Sequence, residues 1–295
     1  MMYSLSVGKR VCVSFLIKKL TFLMVLGSLF VGPAFSAEIL SEADLVQQLN
    51  AAKELYQKRS STESAPTDQA IAKLSKLEQA IAELKNRGDN LDSDLNYDVL
   101  LLLSKSLYWR GQHLADKNEK MKVHELGQAK ADEAIKVDDS YADAYYYAGI
   151  HLSRWGEANG VVPSLFKLPT LKSYMAEVVS HVTRDGNRGE TLDGFGADRV
   201  FGRIYTKLPT GIAGASHAKA IEHLKRAFEN ARNLAMNVVY YAEALNAGDS
   251  TERAYAIKIL DEILKSDPST FNPSRTPETI EEFKLAKAVR DQIRQ

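Results

Sequence analysis

Hydrophobic residues recur with the 3.6-residue period of amphipathic helices along most of the chain. Ile71, Leu74, Leu77 and Ile81, for example, fall on one face of a single helix. No segment shows the sustained apolar–polar alternation and β-branched enrichment that are typical of strands. The pattern therefore predicts an all-α protein, with helices at about residues 41–58, 66–88, 95–115, 119–137, 141–156, 163–184, 196–207, 216–232, 234–246, 250–266 and 276–294.

Three of these helices share a bulky–small–bulky spacing, which is typical of the first helix of a tetratricopeptide (TPR) unit. Gly149, Gly202 and Ala242 occupy the small position, where a partner helix can approach closely. The small positions are unevenly spaced, which indicates degenerate repeats with an insertion at residues 157–197. We predict a TPR-like right-handed helical solenoid of antiparallel helix pairs, with an inserted helix and a Gly-rich loop.

The N-terminal residues follow a different pattern. Lys9, Arg10, Lys18 and Lys19 lie ahead of a short apolar run, and small residues follow at 34–36. These features predict a secretory signal peptide at residues 1–36, although an uncleaved N-terminal anchor fits the same pattern. The rest of the chain is divided into an N-terminal helical pair (residues 37–94) and a TPR-like α-solenoid domain (residues 95–295).

The net charge and the cysteine count both change when the predicted signal peptide, here called the leader, is left out. The whole chain has 38 basic and 38 acidic residues, and removing the four basic residues of the leader leaves a net charge of −4. This balance argues against nucleic-acid binding, which needs surplus cations. The only cysteine, Cys12, precedes the apolar run and is therefore not at a lipidation position. We expect an exported periplasmic protein without disulfides.

Catalytic signatures are missing from the sequence. It has no nucleophile elbow, no phosphate-binding loop with its lysine, and no His-Glu-x-x-His motif. His217 and His223 are six residues apart and fall on different faces of one helix, and His151 is expected to be a hydrogen-bonded histidine within a packed helix. We predict no enzyme, no catalytic residue, no cofactor and no metal site.

Resemblance to the TPR fold implies which positions of each first helix face the concave surface. The register fixed by the three small positions places there Tyr146, Arg154, Arg199, Arg203, Lys207 and Glu243. A looser register in the third helix, with Ser104 in the small position, adds Lys105, Tyr108 and Trp109. Of these, the predicted binding residues are Tyr108, Trp109, Tyr146, Arg154, Arg199, Arg203, Lys207 and Glu243.

Arginine forks match carboxylates and aromatic side chains supply apolar walls, so this set predicts a groove for an acidic partner segment or an amphipathic organic anion. Solvated helix faces with local ion pairs, such as one to Glu243, are an equally good interpretation. For residues 185–197, two alternatives also stay open. They form either a flap over the groove or a connection that lets the inserted helix pack back.

Residues 198–209 (DRVFGRIYTKLP), with 219–227 and 240–245, resemble the TPR-containing T component family of tripartite ATP-independent periplasmic (TRAP) transporters. The similarity covers about residues 96–268. It implies a periplasmic helical protein that binds a substrate-binding P component, contains a hydrophobic ligand passage and forms homo-oligomers. Members often carry a lipid anchor, for which this chain lacks the cysteine. A general cell-envelope scaffold unrelated to transport is the alternative.

Overall fold

Helices account for nearly all regular structure in the computed structural model, which describes residues 41–295. The predicted signal peptide lies outside the described residues. Within residues 41–295 no β-strand forms, and the all-α prediction is confirmed. The helices are α1 (Glu42–Gln57), α2 (Ala65–Asn86), α3 (Ser93–Gln112), α4 (Lys117–Val137), α5 (Ala142–Asn159), α6 (Leu168–Ser180), α7 (Gly196–Lys207), α8 (His217–Asn230), α9 (Ala235–Leu245), α10 (Ser250–Ile263), α11 (Pro268–Phe271) and α12 (Thr276–Ile293).

The helices pack in adjacent pairs, α1 with α2, α3 with α4, α5 with α6, α7 with α8, and α9 with α10. Each pair also contacts the next pair along the chain, so the architecture is solenoid-like, as predicted. At the C-terminal end, α12 packs against both α9 and α10. No helix among the described residues is long and apolar enough to cross a membrane.

Two of the small positions predicted from the repeat pattern, Gly149 and Gly202, are points of close helix contact. A Cβ atom on Gly149 would overlap the terminal methyl of Met175 in α6. A Cβ atom on Gly202 would overlap Cγ of Leu224 in α8, and the Leu224 side chain has no exposed surface. Ser104, the small residue of α3, is fully buried and donates its hydroxyl to the Gly127 carbonyl at 2.8 Å.

Alanine at Gly202 is therefore expected to destabilise the protein by about 1–2 kcal/mol, because overpacking outweighs the gain in helix propensity. Gly156→Ala is the matched control, since its added Cβ would lie 3.5 Å from Ser164, an ordinary contact. That variant should be neutral or more stable by up to about 1 kcal/mol. Urea unfolding of both variants measures the difference, and equal stabilisation by the two would contradict this packing.

The N-terminal helices share a core with the third helix. Leu45 and Leu49 of α1, Leu74 and Leu77 of α2, and Leu103 of α3 are all buried in one apolar cluster. Residues 40–295 also form one compact unit. The predicted boundary at residue 94 thus falls within the first turn of α3, a helix that is packed against α1 and α2.

The inserted helix is shorter than the predicted segment 163–184, because α6 spans only Leu168–Ser180. Gly160, at a φ of 106°, ends α5 with a backbone conformation that favours glycine. The chain then turns, and the Ser164 hydroxyl donates to the Gly160 carbonyl at 2.7 Å. A short 3₁₀ turn at Leu165–Lys167 leads into α6. The hydrophobic period at residues 163–167 therefore does not distinguish this turn from the first turn of an α-helix.

Candidate ligand cavity

A cavity of about 600 Å³ lies on the inner side of the helix series. The first helices of the pairs, α1, α3, α5, α7 and α9, each contribute side chains to its wall, and α12 completes it. Six of the eight predicted binding residues line it, namely Tyr108, Trp109, Tyr146, Arg154, Arg199 and Arg203. The TPR register therefore identifies residues that lie together around one space.

The two ends of the helix series meet at this cavity. Arg59, which follows α1, donates from Nε and Nη2 to the Glu278 carboxylate of α12 at 2.7–2.9 Å. Both side chains are mostly buried and both line the cavity. A bidentate Arg–carboxylate pair fixes orientation as well as distance. Side chains from both ends of the helix series thus border the surface on which the sequence predicted a groove.

Lys207 and Glu243, the other two predicted residues, do not line the cavity. Lys207 is 40% exposed, and its Nζ lies 3.8 Å from Glu243. Glu243 also accepts a hydrogen bond from Arg203. Both residues belong to a local ion-pair cluster, which is the alternative interpretation that the sequence left open.

The predicted arginines are paired inside the protein. Arg154 donates to Glu157 at 2.7 Å, and Arg203 donates to the same carboxylate at 3.3 Å. Burial alone would raise the pKa of Glu157, but Arg154 and Arg203 hold it below its ordinary value. Arg203 also lies 4.3 Å from the centroid of the Tyr240 ring. These arginines therefore form part of the cavity wall with their charges already compensated.

A second, more deeply buried cluster surrounds Asp193. Its carboxylate accepts hydrogen bonds from Tyr146 at 2.6 Å and from both Arg199 and Arg275. Burial would raise the pKa of Asp193, but Arg275, Arg199 and the Tyr146 hydroxyl keep it below its ordinary value. Glu282, which accepts from Arg275 at 3.4 Å, has the opposite shift, because burial raises its pKa more than the arginines lower it.

The loop that carries Asp193 has an unusual backbone. Asp193, Gly194 and Phe195 all have φ between 49° and 62°, a left-handed conformation that costs energy for the two non-glycine residues. The fully buried Asn237 holds this loop by donating to the Gly194 carbonyl at 2.9 Å and accepting from Arg199 at 2.8 Å. Residues 185–197 therefore form a fixed connection and part of the wall, which favours the second of the two sequence alternatives.

Lys105 differs from the other cations of the cavity. Of the six Lys and Arg side chains in its wall, the five arginines each pair with a carboxylate. Lys105 is half-buried, and within the described part of the chain no ion pair or hydrogen bond reaches its Nζ. The ammonium lies 5.3 Å from the centroid of the Tyr147 ring, and burial lowers its pKa.

Several residues of the site are not among those that the sequence predicts. Arg59, Asp193, Arg275 and Glu278 lie on connections or on α12, outside the TPR register. The dipeptide Asp193-Gly194 is a turn signal, which could have indicated a left-handed turn but not its contact with the cavity. The TPR register places Lys105 on the concave side, but Lys105 is not among the eight predicted binding residues.

Two buried histidines lie behind the cavity wall. The Nδ1 atoms of His124 and His151 are 3.0 Å apart, and His151 Nε2 donates to the Ser104 carbonyl at 3.0 Å. His151 thus accepts at Nδ1 from the Nδ1–H of His124, which requires the His151 ring to be neutral. Gly111 and Gly127 leave the space that the two rings fill. His151 is therefore hydrogen-bonded, as predicted, and is fully buried.

Burial is the largest cause of a lowered pKa in both rings. It lowers the pKa of His124 to about 4, with Arg154 and Lys120 adding repulsion, and that of His151 to about 3. Elsewhere, His217 pairs with Glu252 and His223 with Asp198. Among residues 41–295, no three His, Cys, Asp or Glu side chains are positioned to hold a metal ion.

A comparison with models of known protein families gives no match, and no curated protein has a significantly similar sequence. The geometry of the cavity and the resemblance of residues 198–209 to the T components are thus the grounds for a functional proposal.

Proposed function

We propose that this protein is a periplasmic binding component that holds a small organic anion in its cavity. We further propose that it serves as an adaptor of TRAP-type transport by binding a solute-binding P component. The observation that carries the ligand proposal is the ammonium of Lys105, which has no ion-pair partner among residues 41–295, in a wall whose arginines are all paired. The resemblance of residues 198–209 supports the transport assignment.

An anionic ligand supplies the group that the cavity lacks. Nearby aspartates partly offset the effect of burial on the pKa of Lys105, but within the described residues no carboxylate is close enough to form an ion pair with its ammonium. A bound carboxylate or similar anion would supply that partner. Tyr108, Trp109, Tyr146 and Tyr147 give the same cavity an aromatic wall. A volume of about 600 Å³ is typical of small-molecule sites. The preferred ligand is therefore a monoanion with an apolar or aromatic body.

The closure of the helix series favours a small ligand over a long partner segment. In an open solenoid, the concave surface accommodates extended chains of other proteins. Here the Arg59–Glu278 pair joins the two ends, and side chains from both ends line one cavity. A partner protein would then bind outside the cavity. This arrangement favours a protein that carries a small ligand over a general cell-envelope scaffold.

Thermal unfolding in the presence of small carboxylates tests the ligand proposal. The chain from residue 37 onward contains the whole compact unit and is the suitable sample. We expect phenylpropionate, indole-3-acetate or octanoate to raise the melting temperature, and their neutral amides to have little effect. Lys105→Met should weaken the binding of the effective acid about 10–100-fold, the amount expected for one lost charge-assisted hydrogen bond.

Lys207→Met is the matched control, because Lys207 is an exposed lysine outside the cavity lining. This variant should bind the acid like the unmodified protein. Equal stabilisation by acids and amides, or unchanged affinity of Lys105→Met, would contradict the ligand proposal.

Co-purification from periplasmic extract tests the transport assignment separately. Recovery of a solute-binding P component with this protein would support it. Recovery of envelope-assembly factors alone would instead favour the general scaffold.

A further inference from the structure

Three large apolar side chains are exposed on two neighbouring connections. Val162 is 62% and Phe166 is 71% exposed on the connection between α5 and α6. Ile212 is 43% exposed on the connection between α7 and α8. Single exposed apolar side chains are common on protein surfaces, whereas a group of them is typical of an interaction site.

The two connections lie side by side. Lys172 of α6 donates from Nζ to the Ala213 carbonyl at 3.5 Å. Below the exposed side chains, both segments line one small apolar crevice, with Leu165 and Leu168 on one side and Leu208 on the other. We call the surface formed by Val162, Phe166, Ile212, Lys167, Lys172 and Lys219 the loop surface; Lys219 is exposed, and Lys167 and Lys172 are partly buried.

The loop surface is positively charged, whereas residues 37–295 as a whole have a negative net charge. No Asp or Glu occurs at residues 158–176 or 199–221, although the chain beyond residue 36 has a net charge of −4. Within the described residues, Lys167, Lys172 and Lys219 form no ion pair. Lys167 lies over the Trp155 ring, 4.1 Å from its centroid, and Lys172 and Lys219 each lie 5.6 Å from the Tyr205 centroid. Their charges therefore remain available to an external anion.

We propose that the loop surface docks on the face of a membrane that contains anionic lipids. Val162, Phe166 and Ile212 would enter the headgroup region, while the surrounding lysines would contact lipid phosphates. Apolar side chains that protrude from loops within a ring of lysines match the composition of interfacial anchors. This docking needs neither a spanning helix nor a lipidated cysteine, and it is independent of the ligand in the cavity.

Vesicle co-sedimentation tests the proposal with the chain from residue 37 onward, which excludes any contribution of the leader. We expect binding to vesicles of phosphatidylcholine mixed with phosphatidylglycerol, and about tenfold weaker binding to phosphatidylcholine alone. Binding should also weaken as the salt concentration rises, because the lysine–phosphate attraction is screened. Absence of binding to the anionic vesicles would overturn the proposal.

Point variants locate the contact. Phe166→Ser and Lys167→Glu should each weaken vesicle binding about tenfold. Val179→Ser is the matched control, since Val179 is 49% exposed near the other end of α6 and should not affect binding. Circular dichroism and melting temperature verify that each variant is folded. If Val179→Ser weakened vesicle binding as much as Phe166→Ser does, the proposal would be overturned. It would also be overturned if the protein bound no lipid and Phe166→Ser instead abolished binding to an acidic protein partner.

Discussion

Replacing Asp193 by alanine is expected to lower the free energy of unfolding by about 3–5 kcal/mol, because it leaves the buried guanidinium of Arg199 without its carboxylate partner. Arg199 and Arg275 both donate to this carboxylate, and Arg199 is 7% exposed. The hydroxyl of Tyr146 loses the acceptor that it contacts at 2.6 Å. Urea unfolding of the variant and of the unmodified chain measures this loss.

Asp185→Ala is the control, because Asp185 is an exposed carboxylate in the same connection and forms no ion pair within the described residues. It should change the free energy of unfolding by less than about 0.5 kcal/mol. If Asp193→Ala were no more destabilising than this control, the ion pairs of Asp193 would not be what fixes residues 185–197 against the cavity wall.

Acidification from pH 7 to pH 5 is expected to destabilise the protein by about 2–4 kcal/mol through His124 and His151. Burial lowers the pKa of these rings to about 4 and about 3 in the folded state. In the unfolded chain they take up protons near pH 6.5, so protons favour unfolding below that value. The stabilising contribution is complete above about pH 6.5 and is lost as the pH falls towards the folded values.

Unfolding free energies measured at several pH values test this expectation. The double variant with glutamine at positions 124 and 151 should lose most of the slope between pH 7 and pH 5. His217→Gln, at an exposed histidine that contacts Glu252, should keep the slope of the unmodified chain. An identical slope in the double variant would show that other groups cause the acid sensitivity.

The sequence predicted the helices and the concave positions because both depend on local periodicity. Gly149 and Gly202 lie at close helix contacts, and their register places Tyr146, Arg154 and Arg203 in the cavity wall. Such positions follow from helix geometry within a pair, which a period of 3.6 residues determines.

The charge pairing could not be predicted in the same way. Arg59 and Glu278 are 219 positions apart, and their contact depends on how far the helix series curves. Asp193 reaches the cavity only through a left-handed turn held by Asn237. As a result, the arginines that the sequence suggested as binding groups are compensated internally, and Lys105 is the cation of the cavity wall that forms no ion pair within the described residues.

The transport assignment and the export signal stay predictions. Residues 1–36 lie outside the described residues, and the resemblance to T components covers a part of the chain that the structure describes only as helical and solenoid-like. The ligand proposal and the membrane proposal rest on different surfaces, so either can fail without affecting the other.

The most direct test of the anion site is the rate at which an amine-specific acetylating reagent modifies Lys105, followed by mass spectrometry of peptides. Saturating phenylpropionate, or whichever acid stabilises the protein most, is expected to slow acetylation of Lys105 about tenfold or more, because the bound anion covers its ammonium. Acetylation of Lys207, outside the cavity lining, should proceed at the same rate with and without the acid. An unchanged rate at Lys105 in the presence of a stabilising acid would contradict the assignment of this cavity as the anion site.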